Sequence, residues 1–219
     1  MNLGTAALDL LFPPKCPFCR HLLEDPRALL CPGCQRELPW LTGTEGERKV
    51  DFTGGCLSPL AYRGRVPEAV QRFKFSGVRS YAKPFGLLMA QCAQDRLKEV
   101  PDLLTWAPLS RKRLRERGYD QAELLARTAG RALDLPAAAL LRKCRHTQPQ
   151  SGLEEESARR ANALGAYELL PGGKLEGKRV LLVDDVVTSG ATLSECGRVL
   201  LQGGAAAVYC LTLAQARRE

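Results

Sequence analysis

Two hydrophobic patterns alternate along the chain from residue 56 onward. Short, mainly apolar runs are typical of buried strands, and these runs are 57–62, 103–107, 179–183 and 207–213. Apolar residues recur at helical spacing in other segments, which are 67–75, 81–100, 121–133 and 191–201. Strands that alternate with helices predict an α/β fold, in which helices flank a mostly parallel sheet.

The first 55 residues lack this alternation. Residues 1–41 hold two pairs of cysteines and little periodic core, although an apolar stretch at 6–12 predicts a short helix that packs on the domain. Residues 42–55 are polar and glycine-rich, which is typical of a linker or a loop edge. We therefore expect a small N-terminal module over 1–41, a linker over 42–55 and the α/β domain over 56–219.

The N-terminal module carries two matched cysteine pairs separated by eleven residues, Cys16 with Cys19 and Cys31 with Cys34. A C-x2-C turn presents two thiolates from one tight loop, and two such loops complete the tetrahedral shell of a zinc ion. Free surface thiols and a redox pair are the alternatives, but two matched pairs favour zinc. A closed four-cysteine site is structural, and His21 between the pairs is interpreted as a solvated loop residue.

Charge and composition narrow the class of protein. The net charge of +8 indicates an anionic partner, which could be nucleic acid, a phosphorylated metabolite or a membrane surface. No apolar run approaches the ~20 residues of a membrane span, and no basic signal segment is present, so a cytoplasmic location is the default.

An odd count of nine cysteines argues against a disulfide framework. Of the other five cysteines, four lie in apolar or helical contexts that favour burial, whereas Cys144 lies in a basic loop that leaves its environment open.

The strongest functional signal follows the strand at 179–183. Two carboxylates, Asp184 and Asp185, end this strand. A loop of small residues then leads into a helix, and its members are Thr188, Ser189, Gly190, Ala191 and Thr192. Helix N-termini beyond the carboxyl ends of strands bind phosphate, whereas carboxylates accept hydrogen bonds from a sugar diol. The string therefore predicts a ribose 5-phosphate site; a helix cap or a Mg²⁺ site in an unrelated protein are the alternatives.

Two basic segments provide further candidate ligands for anions. The first contains five cations in seven positions: Arg111, Lys112, Arg113, Arg115 and Arg117. They share no helical face, so the pattern predicts a loop or irregular turn that binds pyrophosphate, with a solvated charge run as the alternative. The second, 142–162, has no apolar stripe and predicts a mobile basic lid, in which His146 is an exposed loop residue rather than an acid or base.

These motifs resemble two known groups of proteins. The string VLLVDDVVTSGATL resembles the PRPP-binding motif of the type I phosphoribosyltransferases at every position, where PRPP is 5-phosphoribosyl-1-pyrophosphate. Together with CPFC…CPGC, LAYRG…VQRFKFSG, PLSRKRLRERGYDQAELLAR and TQPQSGL…RRANALGAY, it closely resembles the ComF family from residue 11 onward. Departures from the family pattern are Asp120, where Asn is common, and the acidic run 154–156.

The resemblance implies a type I phosphoribosyltransferase fold with an N-terminal zinc module. It implies that Asp184 and Asp185 hold the ribose hydroxyls, that residues 188–192 cradle the 5-phosphate and that Mg²⁺ accompanies PRPP. It also implies a role in DNA uptake during natural transformation, with single-stranded DNA and other competence proteins as partners. Two functions remain open: a phosphoribosyltransferase in which the two aspartates steady the sugar charge, or a DNA-handling or PRPP-sensing protein without turnover.

Overall fold

The computed structural model describes residues 13–144, 163–172 and 175–216. Its centre is a six-stranded sheet in the order β1-β2-β8-β7-β4, with β3 paired to the end of β8. The strands of this sheet are β1 (Glu47–Arg48), β2 (Cys56–Leu57), β3 (Leu60–Ala61), β4 (Leu103–Trp106), β7 (Arg179–Val187) and β8 (Ala207–Gln215). All pairings are parallel except β1 with β2, so the predicted mostly parallel α/β architecture is confirmed.

Helices cover both faces of this sheet. The α-helices within the described residues are α1 (Pro32–Glu37), α2 (Val66–Phe75), α3 (Ala82–Arg96), α4 (Arg111–Arg117), α5 (Gln121–Leu133) and α6 (Ala191–Gln202). One face packs against α2, α3, α5 and the cysteine module, and the other packs against α6. A separate antiparallel hairpin of β5 (Leu141–Lys143) and β6 (Tyr167–Leu169) lies beside α6.

The central strands are apolar without interruption because both of their faces are buried. Successive side chains of a strand point to opposite faces. In β7, Leu181 and Val183 join the core on the α3 and α5 side, whereas Val180 and Leu182 join the core on the α6 side. A continuous apolar run, rather than alternation, is the pattern expected of such a strand.

Three sequence-based predictions of local structure were wrong. The predicted strand 57–62 is interrupted, so that β2 and β3 pair separately with β8. The strand predicted over 179–183 continues to Val187 because β8 keeps pairing with it. The basic segment predicted as a loop is helix α4, which is capped by the Ser110 hydroxyl at its start and by Gly118 in the left-handed region at its end.

The two edges of the sheet are formed in different ways. The segment 42–55, expected to be a linker or a loop edge, contributes a short 3-10 turn and the two-residue edge strand β1. At the opposite edge, the outer side of β4 forms a single parallel β-bridge with the segment after α5, where Leu104 N–H donates to the Pro136 carbonyl and Ala138 N–H donates to the Leu104 carbonyl. The helix predicted over 6–12 lies outside the described residues.

Candidate functional site

A cavity of about 530 Å³ lies at the carboxyl ends of β4 and β7. Its wall is formed by the end of β7, the loop before α6, the last turn of α2, helix α4 and the β5–β6 hairpin. The two predicted carboxylates and all five residues of the predicted phosphate loop line this cavity. This is the position expected for a ligand site in an open α/β sheet.

The carboxylates of Asp184 and Asp185 lie on different sides of the cavity, because both residues belong to β7 and successive side chains of a strand point in opposite directions. Asp185 lies toward α2, where Lys74 Nζ is 2.7 Å from its Oδ1. Asp184 lies toward the hairpin, and its Oδ1 accepts a hydrogen bond of 2.8 Å from the Asp185 N–H. Burial raises the pKa of Asp184 to about 8, and the neighbouring Asp185 charge adds to this shift. Two ionised carboxylates side by side are therefore disfavoured unless a cation or a hydrogen-bond donor lies against them.

The predicted phosphate loop ends at the N-terminus of α6. Gly190 caps the helix with a φ of +82°, a conformation that favours glycine. A Cβ atom at Gly190 would lie 3.3 Å from the Val50 side chain. Ser189 Oγ accepts the Ala191 N–H at 3.3 Å. Since the first N–H groups of a helix lack intrahelical acceptors, this loop offers donors and a positive dipole end to an anion.

Two of the five cations predicted to bind pyrophosphate line the cavity. Arg113 and Arg117 are four residues apart and therefore share one side of α4. Arg117 is oriented by Gln121, whose Oε1 accepts from Nη1 at 2.8 Å, and its guanidinium lies 4.7 Å from the centre of the Phe75 ring. The remaining three are exposed and do not line the cavity; they are Arg111, Lys112 and Arg115.

Two lysines in the cavity were not assigned to the site from the sequence. Lys74 reaches it from α2, and no local pattern marks it, because its partner Asp185 is distant in the chain. Lys143 belongs to the predicted basic lid. It lies two residues after buried Leu141 in β5 and therefore on the same, inward face of the strand, which is the signal that could have identified it. Its Nζ donates to the Tyr167 hydroxyl at 3.1 Å. Burial lowers the pKa of Lys143 to about 8, and nearby Arg113 lowers it further.

Tyr167 connects Lys143 to the phosphate loop. Burial raises the pKa of Tyr167 well above its ordinary value, so its hydroxyl stays protonated. The same hydroxyl takes part in a hydrogen bond with the Thr192 side chain. Lys143 is thereby held on the phosphate-loop side of the cavity.

The four predicted zinc ligands are brought together. The Sγ atoms of Cys16, Cys19, Cys31 and Cys34 all lie within 4.8 Å of one another, and those of Cys19 and Cys31 are 3.5 Å apart. Four sulfurs at ~2.3 Å from a tetrahedral zinc ion would be separated by ~3.8 Å, so the cluster fits this ion. His21 is exposed and does not belong to the cluster.

Other predictions have mixed outcomes. Cys56, Cys92, Cys196 and Cys210 are buried, as predicted, and Cys144, for which the sequence pattern provides no clear expectation, is exposed. Residues 145–162 of the predicted lid, His146 among them, lie outside the described residues. Across the described part of the chain, no helix has the length and apolar character required to cross a bilayer.

Comparison with known proteins gives matches to both parts of the chain. A family model described as "Phosphoribosyl transferase domain" matches residues 119–219, and one described as "Double zinc ribbon domain" matches residues 7–45. With the sheet topology and the cysteine cluster, these matches confirm the expected fold, a phosphoribosyltransferase-type α/β domain with an N-terminal zinc module.

Similar proteins extend over most of the chain. Competence protein F of Haemophilus influenzae is 30% identical over 223 residues, which cover 92% of this chain and 97% of that protein. Competence protein ComFC of Bacillus subtilis is 29% identical over 226 residues, 94% of this chain and 87% of that protein. DNA utilization protein YhgH of Escherichia coli (strain K12) is 35% identical over 165 residues, 71% of this chain and 66% of that protein.

Proposed function

Because the chain belongs to the ComF family of phosphoribosyltransferase-like competence proteins, we propose that its cavity binds PRPP with Mg²⁺ and transfers the 5-phosphoribosyl group to an acceptor during DNA uptake. One observation carries this proposal. A single cavity contains a carboxylate pair, a hydroxyl-rich loop at a helix N-terminus and four cations. These are the groups that a ribose diol, a phosphate monoester and a pyrophosphate require, respectively.

Each part of PRPP has a candidate binding surface. The 5-phosphate binds the N–H groups and hydroxyls of residues 188–192, with the Lys143 ammonium group beside them. The ribose hydroxyls donate to Asp184 and Asp185, and the pyrophosphate binds Arg113 and Arg117. Mg²⁺ is commonly held by one or two carboxylates together with substrate phosphates, so the aspartate pair also fits this ion. When bound, Mg²⁺ neutralises charge on the pyrophosphate.

In the reaction, the bond between ribose C1 and the pyrophosphate oxygen breaks, and pyrophosphate leaves with the bonding electrons. A lone pair of the acceptor forms the new bond to C1, and the acceptor gives up one proton. Arg113 and Arg117 stabilise the negative charge on the leaving group. Asp184 and Asp185 stabilise positive charge on the ribose ring in their ionised forms.

Calorimetric titration with PRPP and Mg²⁺ tests the binding step. We expect the native protein to bind and the variants Asp184→Asn and Asp185→Asn to lose at least tenfold in affinity, since each removes a carboxylate that is ionised in the complex with Mg²⁺ and PRPP, where a hydrogen bond to it contributes about 1.5–3 kcal/mol. Asp95→Asn is the matched control, because Asp95 is an exposed residue of α3 outside the cavity. Absence of binding by folded, zinc-loaded native protein would refute the proposal. Release of pyrophosphate on adding an acceptor then tests turnover.

A second candidate function is the handling of single-stranded DNA without turnover. It is supported by the cations of α4 that do not line the cavity and by Phe75, which lies at the cavity and is 67% exposed. Basic grooves with exposed aromatic rings bind single strands through the backbone and by base stacking. Combined replacement of Arg111, Lys112 and Arg115 by Met should weaken oligonucleotide binding and reduce its salt dependence. Unchanged oligonucleotide binding by this variant would eliminate the candidate.

A further inference from the structure

Helix α2 is bonded on one side to the first cysteine turn of the zinc module. Arg72 Nη2 donates to the carbonyls of Pro17 and Phe18 at 3.0 and 2.9 Å. These two residues are the ones between Cys16 and Cys19, so their positions depend on how the two thiolates are held. The position of the guanidinium group therefore depends on the geometry of the metal-binding turn, because both of its acceptors belong to that turn.

Aromatic packing joins the same helix to the same turn. The ring of Phe18 is buried 5.4 Å from that of Phe85 in α3, and Phe85 is 5.5 Å from Phe73 of α2. Phe18 and Phe73 thus belong to one core cluster with no solvent layer between module and domain. A displacement of the cysteine turn cannot be absorbed locally, because close-packed cores transmit strain.

The other side of α2 forms part of the cavity. Lys74, two residues after Arg72, makes the 2.7 Å ion pair with Asp185, and its carbonyl accepts from Gln121 Nε2 at 3.4 Å. The adjacent Phe73 carbonyl accepts from the Tyr119 hydroxyl. Arg72 and Lys74 are separated by only ~3 Å along the helix axis, so one turn of α2 carries both the contact to the zinc module and the contact to the carboxylate pair.

We propose that zinc binding and PRPP binding are energetically linked through α2, and that Arg72 is the positioning residue that transmits the linkage. Zinc fixes the cysteine turn, the turn fixes Arg72, and Arg72 sets where the Lys74 ammonium group meets Asp185. PRPP binds more tightly when that ion pair is in place, because Lys74 then holds the carboxylate in position for the ribose hydroxyls. This inference rests on the proposed PRPP site.

Energetic linkage between two binding sites is reciprocal, so the test measures zinc affinity rather than activity. Zinc affinity of the full-length protein is measured by competition with a zinc-selective chromophoric chelator, in the presence of Mg²⁺, with and without saturating PRPP. We expect PRPP to raise zinc affinity about fivefold, at the lower end of common coupling energies. An affinity that is the same with and without PRPP overturns the inference.

Substitutions then identify the transmitting residue. Arg72→Met keeps all four cysteines and is expected to bind one zinc ion, but the effect of PRPP on zinc affinity should fall below twofold. Arg72→Lys can restore one of the two hydrogen bonds and should recover part of the effect. Arg27→Met is the matched control, because Arg27 is an exposed arginine of the same module that pairs with Asp25, and it should retain the full effect. Full linkage in Arg72→Met would overturn the role of Arg72.

Measurements on the native protein distinguish failure of the linkage from failure of the proposed PRPP binding on which it rests. If calorimetry detects no PRPP binding to the zinc-loaded chain, both proposals fail. If PRPP binds but leaves zinc affinity unchanged, the PRPP site stands and the linkage alone is wrong. The measurement on the native protein decides even if Arg72→Met does not fold.

Discussion

Lys143 provides a quantitative test of the phosphate site, because its ammonium group is held on the phosphate-loop side of the cavity and its charge depends on pH. Its Nζ is held by Tyr167, which in turn bonds with Thr192. Burial lowers the pKa of Lys143 to about 8. We expect Lys143→Met to weaken binding of ribose 5-phosphate and to remove the pH dependence of binding above neutrality.

The size of the effect follows from the charge. A hydrogen bond to a charged group contributes about 1.5–3 kcal/mol, so the substitution should lower affinity about tenfold to a hundredfold at pH 7. With a pKa of about 8, roughly nine-tenths of the lysines are charged at pH 7 and about half at pH 8. A bound anion raises the pKa of Lys143 further, so its contribution to binding is present in full well below pH 8 and is lost as the pH rises from about 8 through the higher pKa of the complex.

Calorimetry measures both quantities. Ribose 5-phosphate without Mg²⁺ is the suitable ligand, because it leaves out the pyrophosphate and metal contacts. Titrations at pH 8 in two buffers of different ionisation enthalpy report proton exchange, and native protein should take up about half a proton more than Lys143→Met. Lys112→Met is the matched control, since Lys112 lies on α4 outside the cavity and should change affinity less than about twofold.

Two results would refute this reasoning. Equal affinity of native protein and Lys143→Met for ribose 5-phosphate from pH 7 to 9.5 would mean that the phosphate does not bind beside Lys143. Equal proton exchange at pH 8 would mean that the ammonium group does not respond to the bound anion. Circular dichroism and thermal unfolding of both variants control for loss of structure.

Three further predictions concern stability and binding. Burial raises the pKa of Asp120 to about 6, so the folded protein keeps this proton to a higher pH than the unfolded chain does. The free energy of unfolding should therefore decrease from pH 4 to 6. In denaturant titrations, Asp120→Asn should flatten that profile, and an unchanged profile would contradict the shift. Gly190→Ala places a side chain at positive φ against Val50 and should cost about 1–2 kcal/mol of stability and weaken PRPP binding, whereas native affinity would show that the loop tolerates a side chain. Cys34→Ser should lose zinc and lower the melting temperature, because structural zinc contributes folding energy; retention of one zinc ion per chain would disprove the four-cysteine site.

The sequence predicted those parts of the structure that depend on local pattern. The buried strands, helix Gln121–Leu133 and the glycine-centred loop at 188–192 each follow from residues that are contiguous in the chain. Helix α4 was missed because the prediction required the cations to share one helical face, which a seven-residue surface helix does not need. Its capping residues, Ser110 and Gly118, were the available signal.

The remaining features depend on contacts between distant segments. The extension of β7 through the two carboxylates depends on its pairing with β8, and no residue near Asp184 indicates that this pairing occurs. The partnership of Lys74 with Asp185 joins positions more than a hundred residues apart. Such contacts are decided by the tertiary arrangement, so periodicity and spacing do not predict them.

The short edge strands of the sheet have a consequence for how copies of this chain behave in concentrated solution. Strands β7 and β8 contain long β-branched and apolar runs of the kind that pair readily between molecules. One flank ends in the charged pair Glu47–Arg48, and the outer side of the other, β4, is bonded to the segment containing Pro136. Neither presents a long apolar row of unpaired N–H and C=O groups to a neighbouring molecule. Changes that loosen either flank should therefore reduce the soluble yield of the protein before they affect ligand binding.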